Sequence, residues 1–329
     1  MSERALQPDQ GSGLTLRYCS TPIDLEPDAD VLAEIVFGTR TTCAPHPRRL
    51  HVRLDALHGA ELREVWRSDG PVRTSQAGAI RFSEDDRHLL GIIEINEREH
   101  TDIGAATASA YAQIAKFQSQ SSKPHLLRMW NYFDAITLGD GDAERYQLFC
   151  VGRADGLATR SLRPLPAATA IGRRDGKPVL QIYWLAATEP GKAIENPRQI
   201  SAYDYPRQYG RVSPRFARAM LNAGGELLIS GTASIVGHAT HHDGDVLAQL
   251  DETMLNLDAL LQQAHARDAC CPARFSDRAV LKVYLRHPQA CASVVAELRR
   301  RLPARASLLV LAADICRKDL LIEIDGLHL

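Results

Sequence analysis

The sequence predicts an α+β protein built from two similar domains that pack together. The first observation is the length of 329 residues, which favours two domains over one. The second is a repeated order of predicted elements, because a strand, a helix, a strand and a later strand occur before residue 189 and again after residue 222. Residue identity between the halves is low, so the repeat is one of structure and not of sequence.

Hydrophobic patterning defines the elements of the first half. An approximate apolar stripe, which includes Tyr111, Ile114 and Phe117, predicts a helix before the strongest strand of this half. In chain order we predict a strand from His88 to Asn96, a helix from about Ala105 to Gln118, a strand from Leu126 to Ile136, a loop from Gly139 to Ala143, a strand from Tyr146 to Val151, a polar turn from Gly172 to Gly176 and a strand from Val179 to Ala186.

A long segment from Glu189 to Pro214 separates the halves and is rich in proline, arginine and tyrosine. Long irregular segments in compact proteins are usually linkers or functional loops. Tyrosine side chains are large and partly apolar, so they favour a packed segment over a flexible linker.

The second half has clearer periodicity. Leu250, Met254, Leu257 and Leu261 recur at helical spacing and predict one long helix. In chain order we predict a strand from Glu226 to Ile235, a helix from Val246 to Ala266, a strand from Val280 to Arg286, a helix from Ala290 to Arg301 and closing strands from Leu308 to Leu311 and from Leu320 to Asp325.

These elements suggest four segments. Residues 1–15 are polar and form a disordered lead-in, residues 16–188 form the first domain, residues 189–222 connect the domains, and residues 223–329 form the second domain.

Composition excludes several classes of protein. The formal net charge of -1 argues against a general grip on nucleic acid or an anionic membrane. No stretch approaches the roughly 18 consecutive apolar residues of a transmembrane helix, and the N-terminus lacks the apolar core of a signal peptide. The seven cysteines are scattered, without the spacing of a metal knuckle or a disulfide framework. We therefore expect a cytoplasmic protein.

The closing strand carries the most informative candidate residue. Side chains alternate across a strand, so Leu320, Ile322 and Ile324 share one face, and Glu323 and Asp325 share the other. In so apolar a strand Glu323 is expected to be desolvated, which raises a carboxyl pKa and makes a proton donor near neutral pH. The alternative is that both carboxylates form the solvated face of an edge strand.

Ordered stretches through the chain carry a resemblance to known families. The region from Gly224 to Leu329 resembles the YjgF/RidA fold. The whole chain from about Arg81 resembles the chorismatases, enzymes that cleave chorismate. The stretches that carry this second resemblance are Met129 to Tyr132, Glu144 to Tyr146, Phe149 to Arg153, Glu195 to Gln199, Tyr203 to Pro206, Phe216 to Arg218, Ser230 to Ile235, Lys282 to Arg286, and Cys316 with Glu323.

The resemblance implies a fold and a reaction. It implies two YjgF/RidA-like domains, each a mixed β-sheet with helices on one face. It also implies chorismate as the substrate, which carries two carboxylates, an enolpyruvyl ether and a neighbouring hydroxyl. In the family the acid that protonates the enol-ether methylene matches Glu323, and pyruvate leaves when the ether bond breaks.

Cations are expected to hold the two carboxylates. Arginine suits planar, bidentate capture of a carboxylate. Arg145, Arg218 and Arg286 lie in matching stretches and are the candidates, and Tyr203 is a candidate hydrogen-bond partner. The alternatives are structural salt bridges for the arginines and loop packing for Tyr203.

Cys316 stands where the resemblance implies a choice of product. Family members that form 3-hydroxybenzoate carry cysteine there, paired with a very small residue, and hydrolytic members carry an aliphatic. Gly231 and Ala233 are both candidates for the paired position. If it is Ala233, some 4-hydroxybenzoate is expected beside 3-hydroxybenzoate. The alternative is that Cys316 is a buried structural cysteine.

Imidazoles and carboxylates in one short segment also invite a metal hypothesis. His238, His241, His242, Asp243 and Asp245 could ligate zinc. The segment has the composition of a loop before a helix, with Asp245 as a helix cap. The family chemistry needs no metal or other cofactor, and we predict none.

Three functions compete. The leading one is cleavage of chorismate to pyruvate with 3-hydroxybenzoate and some 4-hydroxybenzoate, or in its hydrolytic form to a dihydroxycyclohexadiene carboxylate. A YjgF/RidA-like imine deaminase is disfavoured by the length of the chain, and a non-catalytic ligand-binding module by the retained acid and arginines. The oligomeric state stays open, and a monomer is possible because two related halves can bury each other's faces.

Overall fold

The α+β class is confirmed by a computed structural model, which describes residues 13–20, 26–40, 45–59, 63–157 and 164–328. Most of the predicted lead-in, residues 1–12, lies outside the described residues. No helix within the described ranges is long and apolar enough to cross a membrane.

Twenty strands and four α-helices make up the described chain. They are β1 (Thr15–Cys19), β2 (Val31–Phe37), β3 (Arg49–Val52), β4 (Ala56–His58), β5 (Arg63–Arg67), β6 (Arg73–Ala77), β7 (Ile80–Glu84), β8 (His88–Asn96), α1 (Ile103–Gln120), β9 (His125–Asp134), α2 (Arg145–Gly156), β10 (Ala167–Arg173), β11 (Val179–Ala187), β12 (Lys192–Ile194), β13 (Ala219–Leu221), β14 (Leu227–Ala233), β15 (Ile235–Val236), β16 (Ala239–Thr240), α3 (Val246–Arg267), β17 (Ala279–Leu285), α4 (Cys291–Arg301), β18 (Ser307–Ala312), β19 (Asp314–Ile315) and β20 (Ile322–His328).

Two seven-stranded mixed sheets repeat one topology. The first sheet has the order β19-β10-β9-β11-β8-β7-β6, and the second has the order β12-β13-β14-β20-β17-β18-β4. In each, an antiparallel hairpin (β7–β8 or β13–β14) precedes a helix, a central strand (β9 or β17), a second helix and a strand parallel to the central one (β10 or β18). The last strand, β11 or β20, then inserts between hairpin and central strand. The predicted repeat is therefore present in the topology.

Helices cover one face of each sheet. Helices α1 and α2 bury apolar side chains against one face of the first sheet, and α3 and α4 do so against the second. The remaining faces of the two sheets share one core with a four-stranded sheet, β1-β5-β2-β3, that the sequence did not predict. Edge strands cross between the halves, because β4 joins the second sheet and β19 joins the first. The predicted domain limits stay predictions.

One predicted element is wrong in type. Residues 146–151 were expected to be a strand but lie in helix α2. A short apolar run does not distinguish a strand from a buried helix by periodicity. The helix is stabilised by close packing on α1, since a Cβ at Gly152 or Gly156 would overlap the backbone of α1. The adjoining strand β10 was not predicted, and the segment from Glu189 to Pro214 is mostly irregular, as expected.

Candidate active site

A cavity of about 440 Å³ lies where the two sheets meet. Strand β10 of the first sheet, which is next to the short edge strand β19, approaches β14 of the second sheet. The backbone N–H of Ala168 donates to Ser230 Oγ at 2.9 Å, and the N–H of Gly231 donates to Thr169 Oγ1 at 2.9 Å. Side chains from α2, the segment 205–218 and the loop 316–320 complete the walls. The cavity is therefore formed by both halves of the chain.

Glu323 lies on the wall of this cavity and is buried, with 5% of its surface exposed. Strand β20 is central in its sheet, paired with β14 and β17, so the alternative of a solvated edge strand is wrong. Burial raises the pKa of Glu323 to about 8, the nearby carboxylate of Asp325 adds to the rise, and Arg128 and Arg218 oppose it. The expected desolvation is confirmed, and the carboxyl is mostly protonated at neutral pH.

Gly231 makes the space that the Glu323 carboxyl occupies. The pairing of β14 with β20 shifts register between Ile229 and Thr232, as in a β-bulge. A Cβ at Gly231 would overlap Oε1 of Glu323. Any larger residue here would push the carboxyl out of its position.

Arg218 lies in the cavity, as predicted. Its guanidinium donates to the carbonyl of Ile200 at 2.8 Å and to the hydroxyl of Tyr205 at 2.7 Å, and it stacks on the rings of Tyr205 and Phe216. Within the described ranges it forms no ion pair with a carboxylate. The guanidinium of Arg218 is thus fixed in position by its neighbours and is able to bind an anionic ligand.

Arg153 is a site residue that was not among the predicted candidates. It is 4% exposed, lines the cavity from α2, and lies over the ring of Tyr111 at 5.2 Å. Its guanidinium makes a long contact of 3.9 Å to the sulfur of Met129, and it has no carboxylate partner among the described residues. A buried guanidinium without an anion is costly, which points to an anionic ligand. The matching stretch Phe149 to Arg153 contained this arginine, but the predicted strand ended at Val151, and only helix α2 continues through Arg153.

Arg317 forms part of the cavity roof. Its guanidinium stacks on Tyr209 at 4.0 Å and on Tyr205 at 5.4 Å. It also donates to the carbonyl of His238 at 2.9 Å. The tyrosine-rich connecting segment is therefore packed over the cavity, in agreement with the expectation from its composition.

Arg145, Arg286 and Tyr203 do not line the cavity. Arg145 donates to Glu97 at 2.6 Å and to the carbonyl of Asp134, because it begins α2 and points away from the site. Tyr203 is 38% exposed in the connecting segment, where Tyr205 occupies the site instead. For these two residues the structural alternative fits.

Arg286 has a supporting position behind the cavity. Its guanidinium pairs with Asp314 at 2.7 Å and donates to the carbonyls of Ile315, Arg317 and Leu320. It therefore holds the loop that carries Cys316 and has no donor directed to a ligand in the cavity.

Cys316 lines the cavity together with Ala233. Both belong to one small apolar cluster with Ile235, Ile315 and Leu320. Burial and the neighbouring Glu323 raise the pKa of the Cys316 thiol, so it stays protonated at neutral pH. Cys316 therefore contributes a small, neutral thiol to the cavity lining. The thiol is a weak hydrogen-bond donor and not a thiolate nucleophile. Gly231 lies against the Glu323 carboxyl, whereas Ala233 belongs to the apolar cluster on which Cys316 packs.

The histidine segment lies outside the cavity lining. Asp245 caps α3, accepting from the N–H groups of Leu247 and Ala248 at 3.0 Å, as predicted. Among described residues His241, His242 and Glu252 have ligand atoms within 4.8 Å of one another. The Glu252 carboxylate already pairs with Arg198 at 2.5 Å and with His242 at 3.2 Å. None of these three residues lines the cavity.

The cavity combines a protonated acid with an excess of cations. Five cationic side chains face it, against three carboxyls of which one is Glu323; the cations are Arg153, Arg215, Arg218, Arg317 and Lys318, and the other carboxyls are Glu144 and Asp319. Such a site suits a small molecule that carries more than one negative charge and accepts a proton. The fold and the site thus have the features of an enzyme that acts on a small anionic substrate.

Comparison with known proteins identifies the family. The family model described as "Chorismatase FkbO/Hyg5-like, N-terminal" matches residues 64–186. A chorismatase from Streptomyces rapamycinicus is 32% identical over 317 residues, which cover 92% of this chain and 94% of the relative. A 3-hydroxybenzoate synthase from Streptomyces hygroscopicus is 32% identical over 292 residues, 84% of each chain. A crystal structure of a chorismatase superposes with a TM-score of 0.84 at 32% identity and covers 96% of this chain and 98% of its own. The chain belongs to the chorismatase family.

Proposed function

We propose that this enzyme cleaves chorismate to pyruvate and 3-hydroxybenzoate, with 4-hydroxybenzoate as a second product. The observation that carries the proposal is the buried Glu323, protonated near neutral pH and placed in a cation-lined cavity. Family membership supports the substrate, because relatives named chorismatase and 3-hydroxybenzoate synthase align over most of the chain.

Glu323 is the general acid in this proposal. It donates its proton to the methylene carbon of the enolpyruvyl group, and positive charge develops on the adjacent ether carbon. The bond between the ring and the ether oxygen then breaks, and pyruvate leaves. The ring loses a proton as it becomes aromatic, so formation of either hydroxybenzoate consumes no net water. A carboxyl with a pKa of about 8 is matched to this task near neutral pH.

Arg153 and Arg218 are the proposed carboxylate ligands. Both are buried, both line the cavity, and neither is paired with a carboxylate within the part of the chain that the structure describes. A dianionic substrate would satisfy both guanidiniums and offset their desolvation. Arg317, which stacks on Tyr205 and Tyr209, supplies a further cation in the cavity lining.

Cys316 and Ala233 are the proposed determinants of product choice. The thiol excludes water and favours intramolecular attack by the ring hydroxyl on the neighbouring carbon that carries the ether. A C–O bond forms there as the ring–ether bond breaks and pyruvate leaves, and opening of the resulting three-membered ring with loss of a ring proton gives 3-hydroxybenzoate. The methyl group of Ala233 narrows the pocket beside the thiol, where both share one apolar cluster. In the narrower pocket, direct elimination to 4-hydroxybenzoate competes with the intramolecular route to 3-hydroxybenzoate.

Incubation with chorismate followed by chromatography tests the proposal. Pyruvate and both hydroxybenzoates should appear in fixed proportion. Release of pyruvate with a dihydroxycyclohexadiene carboxylate would instead support the hydrolytic alternative. Absence of pyruvate release would refute chorismate cleavage; tight binding without turnover would then favour a binding module, and ammonia release from an enamine would favour an imine deaminase.

A further inference from the structure

A cluster of buried charged side chains lies behind Glu323, and none of these side chains lines the cavity. Asp325 is two residues further along β20 and points to the same face, fully buried. Arg128 on β9 donates to the Asp325 carboxylate at 3.1 Å. Lys282 on β17 pairs with Glu64 on β5 at 2.6 Å and lies 4.0 Å from Asp325. These four residues, which we call the buried charge cluster, connect both sheets with the N-terminal four-stranded sheet.

The buried charge cluster is neutral without Glu323. It holds two cations, Arg128 and Lys282, and two carboxylates, Glu64 and Asp325, all at most 2% exposed. A third carboxylate beside the cluster would leave it with one more negative than positive charge, and an excess of buried charge is strongly unfavourable. Glu323 is therefore the carboxyl that must remain neutral.

Hydrogen bonds connect the cluster with the wall of the site. One guanidinium nitrogen of Arg128 donates both to Asp325 and to Thr169 Oγ1, the latter at 2.5 Å. The same hydroxyl accepts the N–H of Gly231, the residue over which the Glu323 carboxyl lies. Arg128 is thereby committed to Asp325 and Thr169 and is not free to neutralise an ionised Glu323.

We propose that Asp325 is the positioning residue that keeps Glu323 protonated: by occupying Arg128, it withholds this cation from Glu323. The inference rests on the proposed role of Glu323 as acid. The remaining titratable and charged groups that face Glu323 do not supply another negative charge: Arg218 is a cation, while Tyr146 on α2 and the thiol of Cys316 stay neutral because their pKa values are raised by burial.

Replacement of Asp325 by asparagine tests this role. Asp325→Asn keeps the size and the hydrogen bonds but leaves the cluster with one excess cation, so Glu323 becomes its counter-ion. The pH at which turnover falls on the alkaline side should move down by about one unit or more. The variant should retain its turnover at low pH. At pH values above the alkaline limb of the wild type, its turnover should be about tenfold lower than that of the wild type. An unchanged alkaline limb would overturn the proposal.

Asp175→Asn is the matched control. Asp175 is a buried carboxylate paired with Arg173 at 3.1 Å and with Arg53 at 3.2 Å, outside the cavity lining. It should lose stability as Asp325→Asn does while its alkaline limb stays at the wild-type pH. If both variants move the limb equally, the effect is a general loss of packing and the assignment to Asp325 is wrong.

Infrared titration separates this inference from the proposed function. The C=O stretch of the protonated Glu323 carboxyl, assigned as the band that Glu323→Gln removes, reports its ionisation without substrate. The band should disappear at lower pH in Asp325→Asn than in the wild type, even if chorismate proves not to be the substrate. Should Asp325→Asn not fold, Glu64→Gln changes the same charge balance from the far side of Lys282 and should move the band in the same direction by less. A band that does not move in the folded variant would refute the inference.

Discussion

Replacing the acid by its neutral isostere should abolish turnover and stabilise the fold at the same time. Glu323→Gln keeps the volume and the planar head group of the side chain but removes its proton and its capacity to ionise. Burial disfavours the charged form of Glu323, and the unfolded chain has no such penalty. Glu323 therefore lowers the free energy of unfolding at every pH at which its carboxyl is ionised in the unfolded chain.

The magnitude follows from the difference between the folded and unfolded pKa. The pKa of Glu323 rises from its ordinary value of 4.5 to about 8. The folded pKa is the higher one, so the stability contribution is fully present below pH 4.5 and is lost progressively until about pH 8. Between pH 4.5 and pH 7 the wild type loses stability over about 2.5 pH units, and each unit corresponds to about 1.4 kcal/mol. Glu323→Gln, which cannot ionise, should therefore be about 3 kcal/mol more stable than the wild type at pH 7.

Unfolding measured from pH 4 to pH 9 checks this prediction. The melting temperatures of wild type and Glu323→Gln should nearly coincide at pH 4 and should separate as the pH rises, with the variant higher. Glu99→Gln, at an exposed carboxylate, is the control and should follow the wild type within about 0.5 kcal/mol throughout. Parallel curves for wild type and Glu323→Gln would refute the reasoning, since they would mean that Glu323 ionises as freely in the fold as in the unfolded chain.

Three further predictions concern binding and product choice. Arg153→Ala should raise KM for chorismate at least tenfold by removing a buried carboxylate ligand, whereas Arg145→Ala should change it less than twofold; equal effects would contradict the placement of Arg153 in the site. Ala233→Gly should lower the fraction of 4-hydroxybenzoate, measured by chromatography, and an unchanged ratio would remove its role as the small residue beside the thiol. Cys316→Ala should shift products toward the hydrolysed dihydroxycyclohexadiene carboxylate, and an unchanged profile would show that Cys316 is structural.

The sequence predicted the closing strand well because alternation is a local property. The division of β20 into an aliphatic face and a face with Glu323 and Asp325 is present in the fold. It could not show that Asp325 is the partner of Arg128, 197 positions earlier in the chain, because that pairing depends on how the sheets stack. The same limit applied to the arginines. Arg145 and Arg153 both lie in stretches that carry the family resemblance, but Arg153 lies beyond the predicted strand. Its direction into the cavity follows from helix α2, which the sequence did not predict.

Topology explains why a duplicated fold carries one acid. In the first sheet β11 holds the place of β20, yet it contains no carboxylate within Val179–Ala187. In the second sheet β4 pairs with β18 at Val310 and Leu311, and in the first sheet β19 pairs with β10 at Ile171 and Gly172. The first four residues of β10 remain available to meet β14, and the cavity forms where these two strands approach each other. The acid of this single site comes from β20, which pairs with β14 at Ala233 and Glu323.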